Sequence, residues 1–355
     1  MLLGFFSIYN KNANELSEAL ENYVGEDASD LSIIFARSMM DTATETTMGK
    51  SLDTGHKLDL LPQYQICLKA LILQMTRPWF QIDFLFKFHN LYEPVKRAVL
   101  IIRKTIYTFI EVNLKELENN EGLENNEESQ KPMIFIKQAL KLFQENKFTL
   151  EDVFNESNTI IVGAIETTST AIHNTIFCLA EHTEFQEKLF AEIMAVIPDD
   201  VEITYKHLLN MPYLTMTINE SLRLLPPIMF TTREASDIFQ IKDDSWVPKG
   251  AQFMISIYHI QRNKKYWGPK AEEYDPDNFS DENVAQRNPN AFLPFSKGVR
   301  NCIGMRYAQF ALKVTLVKLI RKYKFTTDHK LKNLVIIPNI TMHFKDIPKL
   351  KVTLR

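Results

Sequence analysis

Glycine is scarce. There are 10 in 355 residues, well below the roughly 7% of an ordinary globular chain. Folds built from hairpins, tight turns and phosphate-cradling loops need glycine wherever φ turns positive, so its scarcity points to a mainly helical chain. Cysteine is scarcer still. Cys67, Cys178 and Cys302 are an odd number that cannot all pair within one chain, which argues against a disulfide scaffold and for a reducing setting. Basic excess is absent: 41 Lys and Arg stand against 44 Asp and Glu, for a net charge of -3. That excludes the electrostatic footprint of a nucleic-acid binder. No run of 18 apolar residues occurs, so no membrane-spanning helix is expected. The opening MLLGFFSIYNKNANE lacks a basic n-region and a small-residue cleavage site, and so does not read as a signal peptide.

What is present has an ordinary globular balance, 45% hydrophobic and 24% charged. The length suits two average domains or one large helical one. Helical periodicity runs through residues 13–48, with Leu16, Ala19, Leu20 and Tyr23 on one face, an end at Val24–Gly25, and a restart capped by Ser29 or Asp30. Residues 63–116 read as two or three long helices broken near Arg77–Pro78 and Glu93–Pro94. Within them PWFQIDFLFKFHNLY could line an apolar channel or touch a membrane, and helix core is the preferred use. The acidic stretch 116–130 has no apolar period and reads as a solvated loop. Helices follow from about Met133 to Glu145, from Thr149 through AIETTSTAIHNTIFCLAEH, over EFQEKLFAEIMAVI, and over 213–224 up to Pro226–Pro227. Short strands are expected at TTREA, FQIK and QFMISIY, then irregular chain over 266–296, a helix over 303–322 and weak closing strands.

The strongest local signal is FSKGVRNCIG, residues 295–304. An irregular segment delivers Cys302 to a helix start, where free N–H groups and the dipole favour an anionic sulfur, the metal-binding form. Gly298 and Gly304 permit tight bends or close approach to a flat ligand. Arg300 can pair with an anionic group, and Phe295 can cover the sulfur. A buried structural cysteine is the competing reading; zinc lacks further ligands at suitable spacing. Upstream, ESLRLLPPI places Glu220 and Arg223 at i, i+3, where they can form a pair. GAIETTST, residues 163–170, places Glu166 beside Thr167 in a long helix, and an acid beside a hydroxyl suits proton delivery. Each string alone also reads blandly, as a surface bridge and as a helix with small residues.

Together these strings resemble cytochromes P450. FSKGVRNCIG matches the haem signature F-x-x-G-x-R-x-C-x-G at every fixed position, ESLR matches E-x-x-R, and GAIETT resembles the oxygen-binding A/G-G-x-D/E-T-T segment, all in the family's order. The resemblance implies a mainly α fold with small β-sheets, Cys302 as axial ligand of haem iron, Arg300 and Arg233 on haem propionates, and Phe295 shielding the sulfur. It further implies Thr167 against dioxygen, Glu166 in the proton relay, and Glu220–Arg223 as a buried lock. A thiolate ligand favours O–O cleavage. The lock's usual third arginine corresponds here to Asn278, in YDPDNF, as is often seen in the fatty-acid-hydroxylase (family four) clan and its insect relatives. That clan's haem-esterifying glutamate aligns with Gly163, so the implied cofactor, haem b, is held non-covalently apart from Cys302. Ala164 stands where glycine is commoner.

The resemblance spans the whole chain as one partial P450 domain, 1–355, that starts after the family's anchor, first helices and much of its large sheet. It implies a monooxygenase acting on an apolar substrate such as a fatty acid, hormone-like molecule or xenobiotic. Electrons would come from an NADPH-dependent cytochrome reductase. The implied site is the cytosolic face of the endoplasmic reticulum, with membrane-surface contact. A non-catalytic remnant that binds haem weakly or not at all is the alternative.

Overall fold

The computed structural model describes residues 2–49, 60–120, 134–242, 244–337 and 339–355. The helices before the first strand are α1 (Phe6–Leu20), α2 (Ser32–Met48), α3 (Leu60–Thr76), α4 (Asp83–Phe86), α5 (Tyr92–Asn120), α6 (Phe135–Gln144), α7 (Leu150–Glu181), α8 (Thr183–Val196), α9 (Tyr205–Leu209) and α10 (Pro212–Leu224). Strands β1 (Phe230–Glu234), β2 (Phe239–Lys242), β3 (Ser245–Val247) and β4 (Gln252–Ser256) follow. Then come α11 (Ile257–Ile260), α12 (Lys264–Trp267), α13 (Asp281–Gln286) and α14 (Met305–Lys322), and last β5 (Tyr323–Thr326), β6 (Ile336–Ile337), β7 (His343–Phe344) and β8 (Lys351–Leu354). The strands pair as two-stranded antiparallel sheets, β1 with β4, β2 with β3, β5 with β8 and β6 with β7. The architecture is mainly α with small sheets, as the sequence predicts.

α7 is the axis. Its start is written in the sequence: Thr149 Oγ1 accepts the Asp152 N–H while the Asp152 carboxylate accepts the Thr149 N–H, a reciprocal capping box. Every residue from Ala171 to Ala180 is buried, as expected of a helix enclosed on all sides. Ile172, Ile176 and Phe177 have no solvent exposure, and each such side chain stabilises the fold by roughly 1.5–3 kcal/mol. α2, α5, α6, α10, α14 and β5 all pack against it. The two helices that flank the chemical motifs, α10 and α14, are thereby fixed to one rod.

The structure corrects several sequence readings. α1 begins at Phe6 rather than near residue 13. Polar Asn10 breaks the apolar period, but its side chain is buried and exchanges hydrogen bonds with the Ile203 backbone at 2.8 and 2.9 Å. Asp30 accepts the Ser32 N–H before α2, whereas the Ser29 backbone pairs with Leu350. Arg77–Pro78 ends α3, and the second expected break lies just before Glu93–Pro94, where α4 has stopped at Phe86 and α5 starts at Tyr92. Pro94 lies in the first turn of α5, where no N–H is required. Residues 116–120 continue α5 as helix, and 121–130 lie outside the described residues. The preference for helix core in PWFQIDFLFKFHNLY fails too. Trp79, Ile82, Phe84 and Phe88 are exposed and only Phe86 is buried, because the helical pieces here are four-residue turns too short to carry a buried stripe. The irregular 266–296 stretch includes a 3₁₀ turn at Pro276–Phe279 and α13.

Candidate active site

The segment before α14 is shaped by its own backbone. Ser296 N–H donates to Leu293 O, Asn301 N–H to Gly298 O, and Cys302 N–H to Phe295 O at 2.9 Å. Gly298 sits at φ +86°, in the region that favours glycine, and a Cβ there would meet nothing within 4 Å. The backbone, not crowding, calls for glycine at that position. Gly304 caps α14, and a Cβ on it would lie 3.7 Å from Cys302 Sγ.

Cys302 is exposed, which removes the buried structural reading. Beside it, Val299 and Ile303 are 101% and 100% exposed, so apolar side chains flank the thiol with no protein packed on them. Among the described residues no group of three or more His, Cys, Asp or Glu is placed to hold a metal ion. The available donor set is therefore one sulfur on an open apolar ledge. A porphyrin, which brings four nitrogens of its own and a flat apolar face, fits that donor set; a bare ion does not.

The two arginines behave differently. The Arg300 side chain is exposed and makes no hydrogen bond or ion pair among the described residues, so it is available to an anion. Arg233, on β1, spans to the loop instead. Its Nη2 donates to Ser296 Oγ at 2.9 Å and to Arg300 O at 3.4 Å, and Nη1 donates to Thr231 Oγ1 and Thr232 O. Phe295 is half-buried and packs on the main core; its carbonyl is what receives the Cys302 N–H.

On α7, Thr167 and Glu166 diverge. Thr167 Oγ1 donates to Gly163 O at 2.7 Å, the local back-bond of a helical threonine. Glu166 Oε1 accepts from Thr341 Oγ1 at 3.3 Å and lies 3.7 Å from His343 Nε2, so it faces the β6–β7 hairpin. A side chain at Gly163 would have open space around it.

Glu220 and Arg223 are wholly buried on α10 and joined by two 2.7 Å hydrogen bonds. Arg223 further donates to the carbonyls of Gln261, Ala271 and Glu273. Burial pushes the Glu220 carboxyl upward, and Arg223, the Asp275 N–H and the Asn278 amide oppose that shift. Sequence reasoning missed Gln261, also fully buried. Its Nε2 donates to Leu222 O and Arg223 O, and its Oε1 accepts the Leu293 N–H, so it ties this pair to the loop that carries Cys302. It missed Arg287, Trp267 and His343 as well, since no short motif marks them and only the folded chain brings them in.

The comparisons agree with this geometry. The sequence model of the cytochrome P450 family matches residues 2–352. The probable cytochrome P450 313a4 of Drosophila melanogaster is 36% identical over an alignment covering 100% of this chain and 72% of the relative. The probable cytochrome P450 313b1 of the same species is 32% identical, covering 100% and 73%, and its cytochrome P450 4c3 is 29% identical, covering 99% and 68%. An open cysteine on a glycine-shaped loop, a buried Glu–Arg lock and a match over nearly the whole length lead to one conclusion: this chain belongs to the cytochrome P450 family, the haem-dependent monooxygenases.

Proposed function

We propose that this chain holds haem b through the Cys302 sulfur alone and oxidises an apolar organic substrate with electrons from an NADPH-dependent reductase. The observation that carries the reading is the exposed Cys302 between two bare apolar side chains. Bound haem supplies dioxygen activation; the protein supplies position, water exclusion and protons.

In this reading Cys302 ligates from a loop that its own N–H bond to Phe295 O holds in place. Gly298 and Gly304 would let that loop approach the macrocycle closely, and Phe295 would shield the sulfur. Arg300 offers an unpaired guanidinium to one propionate. Arg233 braces the loop and presents its outer face to the other. Thr167, whose hydroxyl now donates to Gly163 O, would turn that hydroxyl toward dioxygen. Glu166, which accepts from Thr341 Oγ1 and lies 3.7 Å from His343 Nε2, would belong to the proton relay. Glu220 and Arg223 lock the floor beneath the loop. Gly163 carries no carboxylate, so no ester forms to the haem.

A fatty acid or similarly apolar molecule is the favoured substrate, and Asn278 together with the likeness to cytochrome P450 4c3 supports placing the chain in the family-four clan. Exposed Trp79, Ile82, Phe84 and Phe88 beside Arg77 and Lys87 suit a lipid surface, which fits the cytosolic face of the endoplasmic reticulum. No helix among the described residues is long and apolar enough to cross a membrane. The whole chain, 1–355, acts as one P450 domain.

The test is reconstitution of the haem-loaded chain with an NADPH-cytochrome reductase in phospholipid vesicles, a medium-chain fatty acid and ¹⁸O₂. One labelled oxygen atom per product, dependent on NADPH, supports the proposal. Product free of label, or label uptake that is unaffected when NADPH is omitted, overturns it.

A further inference from the structure

The Glu220 carboxylate is enclosed and fully subscribed. Beyond Arg223, Oε1 accepts the Asp275 N–H at 2.9 Å and Asn278 Nδ2 at 3.0 Å. Asn278 brings a donor but no positive charge, at the position where the family resemblance implies an arginine. A second guanidinium stands close by, reached from a different point in the chain. Arg287 Nη2 donates to Asn278 O at 2.7 Å. Its guanidinium carbon lies 3.8 Å from the centre of the Trp267 ring and 5.6 Å from that of Phe279. The Arg223 guanidinium lies 4.7 Å from the same Trp267 ring, so one indole carries both cations.

The local sequence explains how Arg287 gets there. Ser280 caps α13 by accepting the Asn283 N–H, and Asn283 Nδ2 donates to Asp277 O at 2.8 Å. The short helix is thus folded back on the Pro276–Phe279 turn, and Arg287, the first residue after it, reaches that turn at Asn278 O. Phe279, Trp267 and Phe292 meet beneath in tilted and edge-to-face contacts as a separate aromatic cluster. Phe292 precedes Leu293, whose N–H is held by Gln261. The cluster is therefore continuous with the start of the cysteine loop.

We propose that Arg287 replaces the missing arginine at a distance: it fixes the Asn278 turn through Asn278 O and, stacked on Trp267, supplies the second positive charge that holds the Asn278 amide against Glu220. It is a positioning residue for the Glu220–Arg223 lock and, through Phe292 and Leu293, for the loop that carries Cys302. Its effect on haem rests on the haem reading above; its effect on the lock does not.

The test compares the wild-type chain with Arg287→Ala, Arg287→Lys and the double variant Asn278→Arg/Arg287→Ala. Thermal unfolding is followed on the haem-free chains, and haem retained per chain is measured after loading. We expect Arg287→Ala to unfold at a lower temperature and to retain less than half of the wild-type haem. Arg287→Lys keeps the charge but loses the planar stack and falls between. The double variant returns toward wild type in both measurements, because it puts a guanidinium where Asn278 stood. A merely bulky surface residue at 287 would not be rescued from 278. An Arg287→Ala chain indistinguishable from wild type overturns the proposal, and so does a double variant no better than the single one. If Arg287→Ala is insoluble, soluble yield of the double variant becomes the readout: recovered yield supports the proposal, and yield no better than that of the single variant overturns it. A wild-type chain that takes up no haem sinks the haem reading alone and leaves this one to the unfolding temperatures.

Discussion

Arg223 donates two hydrogen bonds of 2.7 Å, from Nε and Nη2, to the two carboxylate oxygens of Glu220 in a place that neither side chain shares with solvent. Pairs of this kind contribute little over an apolar substitute, but losing one partner leaves the other charge stranded. Glu220→Gln is therefore expected to cost about 3–5 kcal/mol, seen as a lower denaturant midpoint. Arg223→Lys is expected to behave similarly, since one ammonium cannot reach both carboxylate oxygens and the Gln261, Ala271 and Glu273 carbonyls. Midpoints equal to wild type for both variants would contradict the lock.

Arg233 links β1 to the loop through Ser296 Oγ and Arg300 O. Arg233→Ala frees both contacts, and local opening rises where such contacts are lost. Trypsin cleavage after Lys297 or Arg300 in the haem-free chain is expected to accelerate several-fold, with cleavage elsewhere unchanged. An unaltered rate at these two sites would show that the loop holds its shape without the arginine.

The start of α7 depends on Thr149 and Asp152. Thr149→Ala is expected to lower stability by about 1 kcal/mol, and Asp152→Asn by less, because the amide retains an acceptor. Equilibrium unfolding measures both. A loss larger from Asp152→Asn than from Thr149→Ala would place the weight on the other half of the box.

His173 lies in the buried stretch of α7, 5% exposed, with no partner for Nε2 among the described residues. Burial pushes its imidazole below the ordinary value of about 6.5, and the Asp30 carboxylate only partly opposes this. The unfolded chain then takes up the proton at a higher pH than the folded one. Stability is expected to fall as pH drops below about 6.5, by up to 1.4 kcal/mol per pH unit, and to level off once the folded form also protonates. His173→Gln should flatten that slope between pH 6.5 and 5. An unchanged slope assigns the acid sensitivity to other groups.

The parts legible in the sequence were those with local causes. Thr149 announced α7, Pro226–Pro227 ended α10 after Leu224, and the Gly298–Cys302 spacing announced the loop. Whatever depended on distant chain was hidden. Asn10 looks like a solvated residue until Ile203 meets it. Glu166 and Thr167 look like one acid–hydroxyl unit until the helix turn sends one to Thr341 and the other back to Gly163. Arg287 looks like a surface charge until α13 folds it against Asn278. The aromatic run after Pro78 reads as core by composition, and its exposure follows from the shortness of its helical turns.

The functional reading stands or falls with the Cys302 sulfur as the ligand of haem iron. The decisive measurement supplies haem to the chain, reduces it under carbon monoxide and records the absorption spectrum. Thiolate ligation predicts a Soret band shifted strongly to the red, and its disappearance in Cys302→Ser. A colourless chain, or a red-shifted band that survives Cys302→Ser, would contradict it.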